Sequence, residues 1–148
     1  MLYRSTPEAK RKWWILGAMS ASVSMVFIDI TVLPVALPTM SRQLNLSELG
    51  LQWIINAYTL SLTVLVLAGG RIAQTFGLKR VFSFGICLFA LSSAMCGFGN
   101  TESWLVFSRA VQGASGALML PATQAIISQS FPIQERGKAI GIFVSVGS

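Results

Sequence analysis

The sequence predicts an all-α polytopic membrane protein with four complete transmembrane helices and the start of a fifth. Three observations carry that expectation. First, 53% of the 148 residues are hydrophobic and only 11% are charged, against about 25% charged in an ordinary soluble domain. A chain this short cannot enclose so much apolar surface in a core of its own, so a lipid solvent fits better. Second, four long apolar runs follow one another: Trp13–Pro38, Leu51–Gly70, Val81–Gly99 and Trp104–Ser130. Each reaches or approaches the roughly 20 residues that a helix needs to cross about 30 Å of hydrocarbon. They are too long and too little alternating for the strands of a barrel. Third, the basic residues gather in alternate connections.

The elements follow in order. Residues 1–12 form a tail carrying Arg4, Lys10, Arg11 and Lys12. Such a cluster resembles the start of a signal peptide, but the next apolar run far exceeds a signal's hydrophobic region and no small-residue cleavage site ends it. It therefore reads as a retained first helix over about 13–38. Ser41–Gly50 is a short loop in which Asn45-Leu46-Ser47-Glu48 resembles a helix N-cap. The second helix covers about 51–70, and Gly69–Arg80 is a compact loop. The third covers about 81–99; its Cys87 and Cys96, nine residues apart, fall on opposite faces and cannot bridge. Asn100–Ser103 is a turn, so helices three and four are antiparallel neighbours. The fourth helix covers about 104–130 and ends before Pro132 in the loop Phe131–Lys138. A fifth begins near Ala139. Its ten residues give about 15 Å of helix, half a membrane, so the sequence is expected to be an incomplete N-terminal part of a longer protein.

Charge placement sets the topology. Of the eleven Lys and Arg, nine lie in the tail, the loop with Arg71, Lys79 and Arg80, and the loop with Arg136 and Lys138. The opposite loops hold only Arg42, and Arg109 lies within a helix. This bias predicts a cytoplasmic N-terminus. It also accounts for the net charge of +6 without nucleic-acid binding, for which no stacking or groove-reading motif exists. No histidine is present, so a histidine proton switch is unavailable. No nucleophile–base set, metal cluster or phosphate loop suggests an enzyme or a cofactor. Trp13, Trp14, Trp53 and Trp104 fall at the predicted interfaces, as in an aromatic belt.

Polar residues inside the spans are the candidate site, because burying them in lipid is costly. Asp29 is the one acid within a predicted span, and Arg109 lies five residues into the fourth helix. Two readings of the pair stand at this point: a proton- or cation-binding carboxylate with a cationic neighbour, or a structural ion pair, with Arg109 alternatively reaching back to the interface. Ser22 and Met25 share a stripe with Asp29. Gln52, Asn56, Thr59 and Thr63 form a second polar stripe spaced 4, 3 and 4 residues on the second helix. Both stripes are expected to line a cavity, since polar faces in lipid must meet protein or water. Gly113 and Gly116 share the face of Arg109 and leave room either for that cavity or for close helix packing.

Together these segments resemble the major facilitator superfamily, and within it the fourteen-helix drug:proton antiporters of the quaternary-ammonium efflux type. The match runs through Asp29-x-Thr31-Val32 with Ala36-Leu37-Pro38 in the first helix, and Trp53…Tyr58-x-Leu60 in the second. It continues through Gly70-Arg71-Ile72-Ala73-Gln74-Thr75-Phe76-Gly77-Leu78-Lys79-Arg80 in the loop and Arg109-Ala110-Val111-Gln112-Gly113-Ala114-Ser115-Gly116-Ala117 in the fourth helix. Pro34 departs from the first-helix pattern. Gln74, Thr75 and Leu78 replace charged members of the loop motif, although Gly70, Gly77, Lys79 and Arg80 remain.

The resemblance implies a major-facilitator-like N-terminal helical bundle in a bacterial cytoplasmic (inner) membrane. Substrate would sit near the midplane, and helices one and four would be equivalent members of inverted repeats. It thereby implies that Asp29 and Arg109 enter one cavity, lined also by Gln112, with helix three on the periphery. The implied function is proton-coupled efflux of amphipathic, cationic drugs. Its partners would be the lipid bilayer, a small-molecule substrate, protons and the remaining helices of the full-length transporter. Two other readings stay open: a proton-coupled facilitator of another small solute, and a non-transporting truncated membrane fragment.

Overall fold

A computed structural model describes residues 7–44 and 46–146. Five helices account for nearly all of them: α1 Pro7–Leu44, α2 Glu48–Phe76, α3 Leu78–Gly97, α4 Glu102–Ser130 and α5 Ile133–Val146. Arg4 of the tail and Asn45 of the expected N-cap lie outside the described residues. The cap of α2 is Ser47, whose hydroxyl accepts from Gly50 N at 2.9 Å. Thr101 plays the same part for α4.

The helices run further than the sequence suggests. α1 continues past Pro34 and Pro38 to Leu44. Each proline removes one backbone donor without preventing the next turns from forming. α2 runs through most of the expected Gly69–Arg80 loop and stops at Gly77, whose φ of 97° lies in the left-handed region that disfavours side chains. The expected eight-residue connection after α4 shrinks to Phe131 and Pro132, and Pro132 O already accepts from Arg136 N in the first turn of α5. Proline suits a helix start because a donor there would go unused.

α4 is the axis of the bundle. α2 packs along one side of it and α3 along another, while α1 touches α4 and α5 more sparingly. Leu16, Met19, Val23 and Val26 of α1 meet Phe89 of α3, Met119 and Ile127 of α4 and Phe143 of α5 in the main core. Leu37, Ile54 and Leu105 form a smaller cluster toward the Glu102 end. There Glu102 accepts from Ser47 N and Ser47 Oγ, clasping α4 to the start of α2.

Three helices, Arg11–Leu44, Glu48–Phe76 and Leu78–Gly97, are long and apolar enough to cross a membrane. α4 matches α2 at 29 residues. Its sequence is more polar because it keeps its polar side chains inside: Ser108, Arg109, Gln112, Ser115 and Thr123 are all buried. Much of the outward surface is apolar, with Leu67, Phe98 and Val35 largely exposed.

Candidate functional site

The site lies where α1 meets α4. Arg109 and Gln112 stand one turn apart on α4, so an i, i+3 spacing aims both side chains at the same neighbour. That neighbour is Asp29 of α1. Arg109 Nη1 donates to Asp29 Oδ2 at 2.5 Å, and Gln112 Nε2 donates to Asp29 Oδ1 at 2.8 Å. Arg109 Nη1 also donates to Gln112 Oε1 at 2.7 Å, which closes the ring. Both carboxylate oxygens are thus held by donors from one helix.

Burial is uneven across this ring. The Arg109 side chain is 4% exposed and that of Asp29 is 20% exposed. Arg109 lies over the Tyr58 ring of α2, 4.4 Å from its centroid, in a cation–π contact. Two buried polar atoms beside this contact, Arg109 Nε and Tyr58 Oη, have no hydrogen-bond partner. Asp29 itself opens into a cavity of about 300 Å³. Met25, Ile28, Val32, Leu33 and Ala36 of α1 form one wall, and Phe89 and Ser93 of α3 form the other. The cavity offers one carboxylate and the Ser93 hydroxyl among apolar groups. Chemically, that arrangement suits a cation with an apolar body, or a proton taken up by the carboxylate while the cavity holds water.

The expected site residues divide by location. Asp29, Arg109 and Gln112 come together, and Met25 lines the Asp29 cavity. Ser22 is buried lower on α1, where its hydroxyl donates to Met19 O at 2.7 Å. Gln52, Asn56, Thr59 and Thr63 do share a face of α2, but that face is exposed on the bundle surface. α2 instead turns Ile54, Ala57, Tyr58, Gly69 and Ala73 inward. Gly113 and Gly116 lie in the seam between α4 and α2. A methyl group added at Gly113 would fall 2.2 Å from Tyr58 O, and one at Gly116 would fall 3.0 Å from Leu62 Cδ1. The small residues serve close helix approach.

In the loop motif, Gln74, Gly77, Lys79 and Arg80 line a separate cavity of about 720 Å³ at the α2–α3 turn, joined by Ala125 and Gln129 of α4. Gly70 is outside its lining; a methyl group added there would fall 3.6 Å from Pro121 Cβ. Helix three is less peripheral than the resemblance implies, since Phe89 and Ser93 reach the Asp29 cavity and Cys96 Sγ lies 3.9 Å from Gln112 Oε1. Sequence reasoning missed these three residues and the contact of Tyr58 with Arg109. For Tyr58 a signal existed in the Trp53…Tyr58 pattern, but nothing in the spacing assigned it a neighbour.

Comparison with known proteins agrees with this architecture. The model of the Major Facilitator Superfamily matches residues 19–148. The puromycin resistance protein pur8 of Streptomyces alboniger is 41% identical over 92% of this chain and 27% of its own length. The tetracenomycin C resistance and export protein of Streptomyces glaucescens is 35% identical over 92% of this chain and 25% of its own. The riboflavin transporter RibZ of Clostridioides difficile is 32% identical over 90% and 29% respectively. The chain thus spans about a quarter of the length of the curated relatives it matches.

Proposed function

Because this chain belongs to the major facilitator superfamily, we propose that it forms part of the N-terminal half of a multi-pass secondary transporter that exports amphipathic, cationic compounds in exchange for protons. Within the superfamily the reading places it with the fourteen-helix quaternary-ammonium efflux branch. It sits in the bacterial cytoplasmic membrane with its N-terminus inside, as the basic residues at the Lys12, Lys79 and Arg136 end of the bundle favour. Resistance and export relatives support efflux of a small molecule.

One observation carries the reading: Asp29 is held by Arg109 and Gln112 on one side and open to an apolar cavity on the other. In a site shielded from water the carboxylate is stable when a cation faces it. The resident cation is Arg109; the alternatives are a proton on the carboxylate or a positively charged substrate in the cavity. A proton and a cationic substrate would then compete for the same charge, and that competition is the physical basis of exchange.

The test is made in the full-length transporter reconstituted in vesicles. Asp29→Asn, which keeps an oxygen for Arg109 to donate to, is expected to insert and, per inserted transporter, to lose substrate-dependent proton flux, while Asp29→Glu keeps part of it. Undiminished flux in Asp29→Asn would remove Asp29 as the carrier. A second reading, transport of a different small solute, is favoured by the riboflavin transporter among the relatives. Competition separates the two: a lipophilic cation should inhibit flux and riboflavin should not, and the reverse pattern selects the second reading.

A further inference from the structure

Two cavities open side by side where α2 turns into α3, and they share Phe76 and Arg80. The larger, about 720 Å³, carries the polar and basic groups of Gln74, Thr75, Lys79, Arg80 and Gln129 beside apolar ones such as Leu78 and Ala125. The smaller, about 420 Å³, is apolar, lined by Ile72, Phe76, Val81, Phe84 and Leu118. No acid lines either one. Among the described residues the ion pairs are Lys12–Glu135 and Asp29–Arg109, so the charges of Lys79 and Arg80 are uncompensated.

The position of these cavities across the membrane gives them a meaning. α2 has 29 residues, about 43 Å of helix against about 30 Å of hydrocarbon. Its last turn and the Gly77 turn therefore reach the level where acyl chains give way to headgroups. At that level Phe76 is 67% exposed and Phe84 61% exposed, beside two exposed cations. Arg80 stands at the seam, with the basic cavity on one side and the apolar groove on the other.

We infer that the paired cavities bind an anionic phospholipid from the adjoining leaflet, with its phosphate in the basic cavity and an acyl chain along the apolar one. The Arg80 fork and the Lys79 ammonium match phosphate oxygens, and basic pockets at this depth attract anionic headgroups. A soluble phosphate would use the first cavity and leave the second empty. A zwitterionic lipid would fill both but gain little from the uncompensated charge. The inference rests on the chain being embedded in a membrane and is independent of proton coupling at Asp29.

The experiment is native mass spectrometry of the full-length transporter in detergent, loaded with phosphatidylglycerol and phosphatidylcholine in equal amounts. Phosphatidylglycerol should be retained at least about tenfold over phosphatidylcholine. The pair Lys79→Gln with Arg80→Gln should abolish the preference, and the charge-keeping pair Lys79→Arg with Arg80→Lys should preserve it. Phe84→Ser should weaken retention of long-chain phosphatidylglycerol and leave its dihexanoyl form unaffected. Equal retention of the two lipids would overturn the proposal. So would displacement of phosphatidylglycerol by millimolar inorganic phosphate, which would mark a soluble-anion site. Failure to retain any lipid would overturn it too, since the remaining helices would then cover the groove.

Discussion

α4 meets its neighbours in two contrasting ways. Its seam with α2 is close: Gly69 approaches Ala117 O, and Gly113 approaches Tyr58 O, so nearly that a methyl group at either would fall 2.2 Å away. Its contact with α1 is sparser and, besides apolar residues of the two core clusters, includes the ring around Asp29, with an open cavity beside it. The first contact depends chiefly on shape, and the second adds a buried charge pair. The two meet at Arg109, which pairs with Asp29 of α1 and lies over the Tyr58 ring of α2.

The largest effect tests the shape-dependent side. Gly113→Val places methyl groups against the Tyr58 carbonyl, and backbone cannot move aside as a flexible side chain can. Destabilisation of about 3 kcal/mol is expected, read as a lowered midpoint of thermal unfolding in detergent together with reduced abundance. Gly17, whose added methyl would meet nothing within 4 Å, is the control. Gly17→Ala should leave both readouts unchanged. A tolerated Gly113→Val would mean that the seam is looser than the distances indicate.

The charge-dependent side predicts an asymmetry. Removing Asp29 leaves Arg109 buried at 4% side-chain exposure without its anion, a loss on the order of 2 kcal/mol or more. Removing Arg109 leaves a carboxylate that is 20% exposed and open to the cavity, where water or a proton can compensate it. Asp29→Ala should therefore lower the unfolding midpoint more than Arg109→Ala does. The double variant should recover part of the loss, because neither charge is then stranded. The opposite order would show that Arg109 finds another partner and that the ring is not what secures α1.

Much of this was legible in the sequence, for reasons that can be separated. Apolar runs of membrane length give helices whatever their neighbours, so the five elements were readable. Asp29 and Arg109 stood out because charge inside such a run is costly, and Gln112 lay one turn beyond Arg109 in a recognisable motif. Periodicity, however, gives a face and not what the face meets. The stripe Gln52, Asn56, Thr59 and Thr63 is present on α2 but is exposed on the bundle surface. The Gly113 and Gly116 face, open to two readings, lies in the close seam with α2. The end of the first helix was misjudged, since the apolar run was closed at Pro38 and α1 continues through it to Leu44. Residues of α3 such as Ser93 and Cys96 gave no signal, because their role depends on which helix lies beside them.

A smaller effect concerns the α2–α3 turn, which belongs to neither contact. Gly77 has open space around it, so any cost of a side chain there comes from φ at 97° and not from a clash. Gly77→Val should destabilise by about 1–2 kcal/mol. Thr75→Ala, whose hydroxyl donates only to Arg71 O in its own helix, should cost less than about 0.5 kcal/mol. In the full-length transporter Gly77→Val should also impair transport more than Thr75→Ala. Equal effects would mean that the turn relaxes without a glycine.

The smallest expected effect bears most directly on what holds α1. Besides Asp29, α1 has a second polar tie: Lys12 pairs with Glu135 of α5. Lys12 also stands 5.6 Å above the Phe131 ring, and Trp13 meets the same ring edge-on at 5.8 Å between centroids. Glu135 is 45% exposed at its side chain, so solvent screens the pair and a contribution under about 0.5 kcal/mol is expected. Glu135→Gln should shift the unfolding midpoint barely at all, and added salt should erase what shift there is. Phe131→Ala should cost more, because Phe131 is 3% exposed and packs in the main core. This ordering separates two pictures of α1. If the aromatic contact outweighs the ion pair and Asp29→Ala outweighs Glu135→Gln, α1 is positioned by buried groups and the surface pair follows. If Glu135→Gln proves as costly as Asp29→Ala, α1 is secured at its end against α5 instead, and the contrast between the two sides of α4 loses its ground.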